Sequence, residues 1–185
     1  MTYGGGRLHL QTLLERTACE VIGGPEGETV DGAVNETERR FWVRDRNYYA
    51  EDDPSYVPSG DKGAGWGRLE ISPTAAEKTS CILNVMYVTD AENGAPTVPA
   101  REIRGEGLVG ASIFGKIVLF PSGGGRLAAP ARFAGEGESE YLVAGLAAGR
   151  WCLSLDGDAR TVSVADGALL TFTARASEIS LAPVL

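Results

Sequence analysis

Gly149-Arg-Trp-Cys-Leu-Ser-Leu-Asp-Gly-Asp-Ala-Arg-Thr-Val-Ser-Val164 reads as two short strands, 149–155 and 159–164, on either side of an Asp-Gly turn. Asp-Gly suits this role because a two-residue hairpin turn holds its central residues at positive φ, which Asp tolerates and Gly adopts freely. The same rhythm continues in both directions. Strands are predicted over 108–114, 116–120, 131–133, 141–144, 169–174 and 178–181, with turns at Gly115, Gly123-Gly124-Gly125, 135–137 and Asp166-Gly167. Short strands at this spacing, separated by such turns, indicate a β-sandwich or barrel. The Ala-rich stretch 142–148 carries helix formers, but Gly145 and Gly149 interrupt it, so it reads as strand and turn.

Upstream, the segments are also strand-like but further apart. In 7–14, Leu8 and Leu10 fall on one face, His9 and Gln11 on the other. A second strand, 18–22, stops at Gly23-Gly24-Pro25. Residues 26–38 read as a surface loop, 40–44 as a short aromatic strand, and 47–65 as a loop rich in Asp, Pro, Gly and Tyr. Strand 67–72 alternates cleanly. After Pro73 and a charged turn, 79–88 is the longest apolar run, and its β-branched and aromatic residues favour a central strand over the helix that 74–88 would otherwise permit. A Gly- and Pro-containing linker, 91–99, then separates the halves. The expectation is an all-β chain: antiparallel β-sandwich strands over 1–92, then a small two-sheet β-domain over 98–185.

Composition narrows the function. The 185 residues include 25 glycines, well above the usual ~7%, and with no collagen-like period this suits tight turns. The net charge is −8, and the arginines at 39, 40, 44 and 46 sit beside Asp45, Asp52 and Asp53. No basic patch of the kind nucleic-acid binding needs is present, and the acidity weakens attraction to anionic lipid. The residues around Met1 lack the apolar core of a signal peptide, and no apolar run approaches the ~20 residues that span a bilayer; a soluble chain without an export signal is expected.

The chemistry-bearing residues are sparse. Cys19, Cys81 and Cys152 are far apart, without CxxC or CxxH spacing, and their apolar surroundings suggest buried free thiols, with one disulfide open to an oxidising compartment. His9 is the only histidine, and no GxSxG elbow occurs. On the polar face of its strand, His9 reads as a solvent-facing or hydrogen-bonded structural residue. The triple glycines 4–6 and 123–125 precede neither Lys-Ser/Thr nor a helix, so they read as turns rather than phosphate cradles. The Asp52-Asp53 and Asp156-Gly157-Asp158 carboxylates lack EF-hand spacing and suit turns. No catalytic residue, metal ligand or cofactor is predicted.

The segment 39–56 is the most unusual, interleaving Phe41, Trp42, Tyr48, Tyr49 and Tyr56 with Arg40, Arg44, Arg46 and Asn47. Aromatic faces stack on sugar rings, and Arg forks hold carboxylates or sulfates. Trp42, Arg44, Arg46, Asn47 and Tyr48 are therefore the predicted contacts for an acidic saccharide. The plainer reading puts Phe41 and Trp42 in a core and packs the tyrosines against their own loop.

Five segments in order, Gly6-Arg-Leu-His-Leu-Gln-Thr-Leu-Leu14, Val21-Ile-Gly-Gly-Pro25, Phe41-Trp-Val-Arg-Asp-Arg-Asn-Tyr48, Gly67-Arg-Leu-Glu-Ile-Ser-Pro73 and Leu83-Asn-Val-Met-Tyr-Val-Thr-Asp90, resemble the C-terminal portion of heparinase II/III-like polysaccharide lyases. Glu15 replaces that family's proline after the paired leucines, and Asp45 replaces a glycine. Gly107-Leu-Val-Gly-Ala111, Val118-Leu-Phe120, Tyr141-Leu-Val-Ala-Gly-Leu146 and Gly149-Arg-Trp151 resemble its small C-terminal β-domain.

The resemblance implies a modular protein: a helical toroid, a large antiparallel β-sandwich, then a small β-domain. It implies β-elimination of uronate-containing polysaccharide, with Tyr, His, Asn and Arg groups in the toroid and early sandwich, and a secreted or periplasmic setting. None of those catalytic positions falls in this sequence. The expectation is a non-catalytic C-terminal part, inactive alone, giving structural support or touching an acidic polysaccharide. Its partners would be an upstream lyase domain or a second copy joined through open strand edges. A stand-alone carbohydrate-binding β-sandwich and an assembly module are the alternatives.

Overall fold

The computed structural model describes residues 2–3, 6–14, 17–23, 29–30, 33–34, 42–43, 46–47, 67–76, 78–90 and 98–184. Among them there is no helix, and the all-β expectation holds. The chain forms two compact units, residues 16–78 and residues 1–15 with 79–185.

In the first unit, β3 (Thr17–Gly23) pairs antiparallel with β8 (Gly67–Pro73), placing Cys19 opposite Ile71 and Val21 opposite Leu69. Two short pairs lie between them in sequence: β4 (Thr29–Val30) with β5 (Ala33–Val34), and β6 (Trp42–Val43) with β7 (Arg46–Asn47). The loops expected over 26–38 and 47–65 fall largely outside the described residues.

The second unit contains a three-stranded and a nine-stranded sheet. The smaller runs β1 (Thr2–Tyr3), β2 (Gly6–Thr12), β9 (Asn84–Asp90), all antiparallel. Its last strand begins five residues later than the apolar run suggested. Residues 80–83 have no strand pairing, and Cys81 within them is exposed, as is Cys19. The buried-thiol expectation is thus corrected: both cysteines lie on segments with no second layer over them among the described residues. Cys152 is half-buried, and all three are free.

The larger sheet is built from β10 (Arg101–Glu106), β11 (Leu108–Ile113), β12 (Lys116–Pro121), β13 (Ala131–Ala134), β14 (Glu138–Val143), β15 (Gly149–Leu155), β16 (Asp158–Val164), β17 (Leu170–Arg175) and β18 (Glu178–Pro183). Their order across the sheet is β16-β15-β18-β13-β10-β11-β12-β14-β17. Every pairing is antiparallel except β12 with β14, which run parallel because β13 intervenes in sequence and joins the far side.

One continuous sheet replaces the two sheets expected, and it folds back on itself. The Phe133 ring on β13 and the Tyr141 ring on β14 have centroids 6.0 Å apart. These strands are separated by β10, β11 and β12, so a flat sheet with ~4.8 Å strand spacing would hold them roughly 19 Å apart. Curling of the sheet therefore brings β13 and β14 face to face, and one core takes side chains from all nine strands. Ile117, Leu119, Tyr141, Val143, Leu153, Ile179 and Leu181 are 0% exposed. Tyr141 also stacks on Phe172 at 5.0 Å, and its hydroxyl accepts a hydrogen bond from the Glu136 N–H (3.1 Å).

Sequence reading missed β10. Its residues, Arg-Glu-Ile-Arg-Gly-Glu, offer one apolar side chain at the core, Ile103. The next inward position is Gly105, where a Cβ would lie 2.4 Å from the Arg132 carbonyl oxygen of β13. The strand is read as polar because close backbone approach replaces a second apolar contact.

The hairpin between β15 and β16 has Asp156 and Gly157 at φ 49° and 97°, as an Asp-Gly turn requires. The Asp156 carboxylate has a second task that sequence did not show. It accepts hydrogen bonds from the N–H groups of Ser177 (3.0 Å) and Glu178 (2.8 Å), and its own N–H donates to the Glu178 carbonyl (3.0 Å). The turn thereby anchors the start of β18. Asp156→Ala should lower the unfolding free energy by about 1 kcal/mol, since charge-assisted acceptors are lost at an exposed site. Asp156→Asn, which tolerates positive φ and keeps one acceptor oxygen, should lose less. Urea denaturation of the two variants checks the order; no loss in Asp156→Ala would mean that the carboxylate contacts contribute nothing.

Candidate functional site

The predicted saccharide contacts divide. Trp42 lies opposite Asn47, and Val43 opposite Arg46, across the β6–β7 pair, so three of the five residues share one short ladder. Arg44 and Tyr48 lie outside the described residues, as do Phe41, Tyr49 and Tyr56.

On the nine-stranded module, an open groove of ≈ 450 Å³ runs beside β10, β13 and β18, with Arg104, Glu106, Arg132 and Glu178 among its lining. Arg132 donates to Glu178 (2.7 Å), and Arg104 pairs with Glu102. Two guanidinium groups thus share the lining with two carboxylates. The charges balance, and a polyanion entering here would have to displace existing ion pairs. The pattern continues elsewhere on the surface: Arg101 pairs with Glu136 (2.7 Å), Lys116 with Glu140 and Arg126 with Asp166. Each such exposed pair stabilises the fold by roughly 0–1 kcal/mol. Arg150, Arg160 and Arg175 make no ion pair among the described residues, and they sit on different parts of the sheet rather than as one patch. Among the described residues no group of three or more His, Cys, Asp or Glu is placed to hold a metal ion.

The three-stranded sheet has two unlike faces. By register, Arg7, His9 and Gln11 share one face with Val85, Tyr87 and Thr89. His9 is the hydrogen-bonded structural residue expected, with Nε2 2.9 Å from Thr89 Oγ1 and its ring stacked on Tyr87 at 4.6 Å. This polar face engages the rest of its unit through Tyr87 and Gln11. The opposite face carries Leu8 and Leu10 with Met86 and Val88, and the last two are 63% and 70% exposed. Within this unit the polar side meets the segment before β10, while Met86 and Val88 on the apolar side are exposed among the described residues. The free edge of β9 pairs with no strand among the described residues.

None of these contacts was legible beforehand, because the partners of His9, Gln11 and Asp156 lie 80, 89 and 21 or more residues away. The turn at Gly115 was expected from the sequence, but the positive φ of Phe114 (52°) was not.

Comparison with known proteins assigns the module. No curated protein matches the chain. Residues 102–183 match the heparinase II C-terminal domain, and these residues are the nine-stranded sheet almost end to end. Residues 102–183 of the chain are thus similar to the heparinase II C-terminal domain, in line with the resemblance read from the sequence.

Proposed function

We propose that this chain is a non-catalytic support module, whose N-terminal strands dock onto the β-sandwich of an upstream lyase domain acting on uronate-containing polysaccharide. The observation that carries the reading is the outward apolar face of β2 and β9. Contiguous exposed apolar surface marks an interaction site, and Met86 and Val88 stand exposed on a regular strand with no described residue of their unit over them. The unpaired β9 edge beside it would let a further strand extend the sheet.

Two measurements test this. Met86→Lys with Val88→Lys should leave the unfolding free energy within ~0.5 kcal/mol, as for other exposed sites, while removing binding of an apolar fluorescent dye. A large loss of stability would show that the chain already covers this face and would overturn the docking role. Purified chain incubated with heparin, alginate or hyaluronan should give no rise in ultraviolet absorbance from unsaturated uronate; a rise would overturn the non-catalytic role.

An acidic-glycan contact is a second reading, favoured only by the ladder that sets Trp42 beside Asn47 and Arg46. Calorimetry against the same glycans would decide it: heat that falls in Trp42→Ala supports a contact there, and no heat removes it.

A further inference from the structure

We infer that Gln11, Tyr87 and Phe114 form a clasp that locks the three-stranded sheet onto the nine-stranded module in one orientation. The chain enters the module through Val98, Pro99 and Ala100, immediately before β10. Two side chains from the smaller sheet bind this segment as a neighbouring strand would. The Gln11 amide accepts from the Ala100 N–H (2.8 Å) and donates to the Ala100 carbonyl (2.8 Å). The Tyr87 hydroxyl accepts from the Val98 N–H (2.8 Å) and donates to the Val98 carbonyl (3.2 Å). Four backbone groups, two residues apart, are satisfied by side chains on a single sheet face. Ala100 is only 4% exposed, so its amide group would otherwise be left without a partner away from water.

The module contributes the other jaw. Residues Ile113 and Lys116 pair across a two-residue turn, with Phe114 at φ 52° and Gly115 at φ 71°. Asn or Gly is favoured at the first position, and a bulky residue held there is strained. Phe114 does not compensate by entering the core, since it is 59% exposed. Its contact is with Tyr87, edge to face at 5.4 Å, while the Tyr87 ring also stacks on His9. A strained, exposed aromatic on a hairpin tip is explained by the partner it meets. Tyr87 is thus held by His9 and Phe114 while its hydroxyl grips the linker. The arrangement would give the outward apolar face of β2 and β9 a defined direction relative to the module; the clasp itself does not depend on what that face binds.

The test uses the full chain in solution. Amide exchange at Ala100 should rise roughly tenfold in Gln11→Ala, and at Val98 by a similar factor in Tyr87→Phe. Unchanged exchange at either position would overturn the clasp. Residual dipolar couplings from β2 and β9 and from β10–β18 should fit one alignment tensor in the parent chain. They should need two in the triple variant Gln11→Ala, Tyr87→Phe, Phe114→Asn. One tensor in the triple variant, or two in the parent, would also overturn it. Phe114→Asn relaxes the turn, and unshifted resonances of Ile117, Tyr141 and Leu181 would establish that the module stays folded.

Discussion

Trp151→Ala should lower the unfolding free energy by about 3–5 kcal/mol, the range for deleting a large aromatic side chain from a packed core. Trp151 is 1% exposed, sits on β15 between Val162 of β16 and Pro183 of β18, and belongs to the cluster shared by all nine strands. Alanine would leave a void that the sheet relaxes into poorly, because β15 is tied on both sides, to β16 and to β18. Part of the loss is polar: the indole Nε1–H donates to the Ala147 carbonyl (2.9 Å), which would lose its partner. Trp151→Phe separates the two contributions. It keeps most of the apolar volume and forfeits the hydrogen bond, so about 1–3 kcal/mol should remain lost. Domains of this kind have only ~5–15 kcal/mol of stability, so Trp151→Ala should remove a large fraction of it. Guanidinium titrations followed by circular dichroism measure both, and a loss under about 1 kcal/mol for alanine would show that the sheet is not packed around this residue.

Gly110→Ala should destabilise by at least about 1–3 kcal/mol, the reverse of the ordinary trend in strands, where Ala is favoured over Gly by roughly 0.5–1 kcal/mol. Gly110 lies on β11 between Ile103 and Leu119. A Cβ there would fall 1.9 Å from the Val118 carbonyl oxygen and 2.9 Å from the Leu119 Cα. Both obstacles are backbone, so no side-chain rotation relieves them. The β12 strand would have to move and carry Ile117 and Leu119, both fully buried, out of register with the core. Gly123→Ala is the matched control, because nothing lies within 4 Å of its added Cβ and its φ is ordinary. That change should be neutral or stabilise by up to about 1 kcal/mol through the unfolded chain. Similar urea midpoints for the two alanine variants would refute the close approach of β11 and β12.

Much of the C-terminal module was legible in the chain itself. Strands predicted at 149–155 and 159–164 appear as β15 and β16, and the turn between them has the backbone its Asp-Gly pair demands. These readings succeed because alternation and turn chemistry are local: each residue states its preference within a few positions. β10 failed by the same logic, because the reason for Gly105 is a carbonyl on β13, 27 residues away. The strand at 79–88 slipped for a related cause. Apolar content marked the run, but pairing with β2 set where the ladder starts.

The candidate sites show the same division. Residue type nominated Trp42, Arg46 and Asn47, and strand pairing places them on one ladder, whereas chemistry alone could not say what Gln11 or Phe114 would touch. By itself the sequence determined that this is an all-β chain rich in glycine turns, and its ordered motifs pointed to the heparinase II/III-like C-terminal region. Tertiary structure decided that the late strands form one sheet curling on itself, that the polar face of β2 meets the segment before β10, and that Met86 and Val88 are exposed. The physical reason is range. Turn and strand propensities act over a few residues, while curling, facing and clasping depend on groups brought together from up to 89 positions apart.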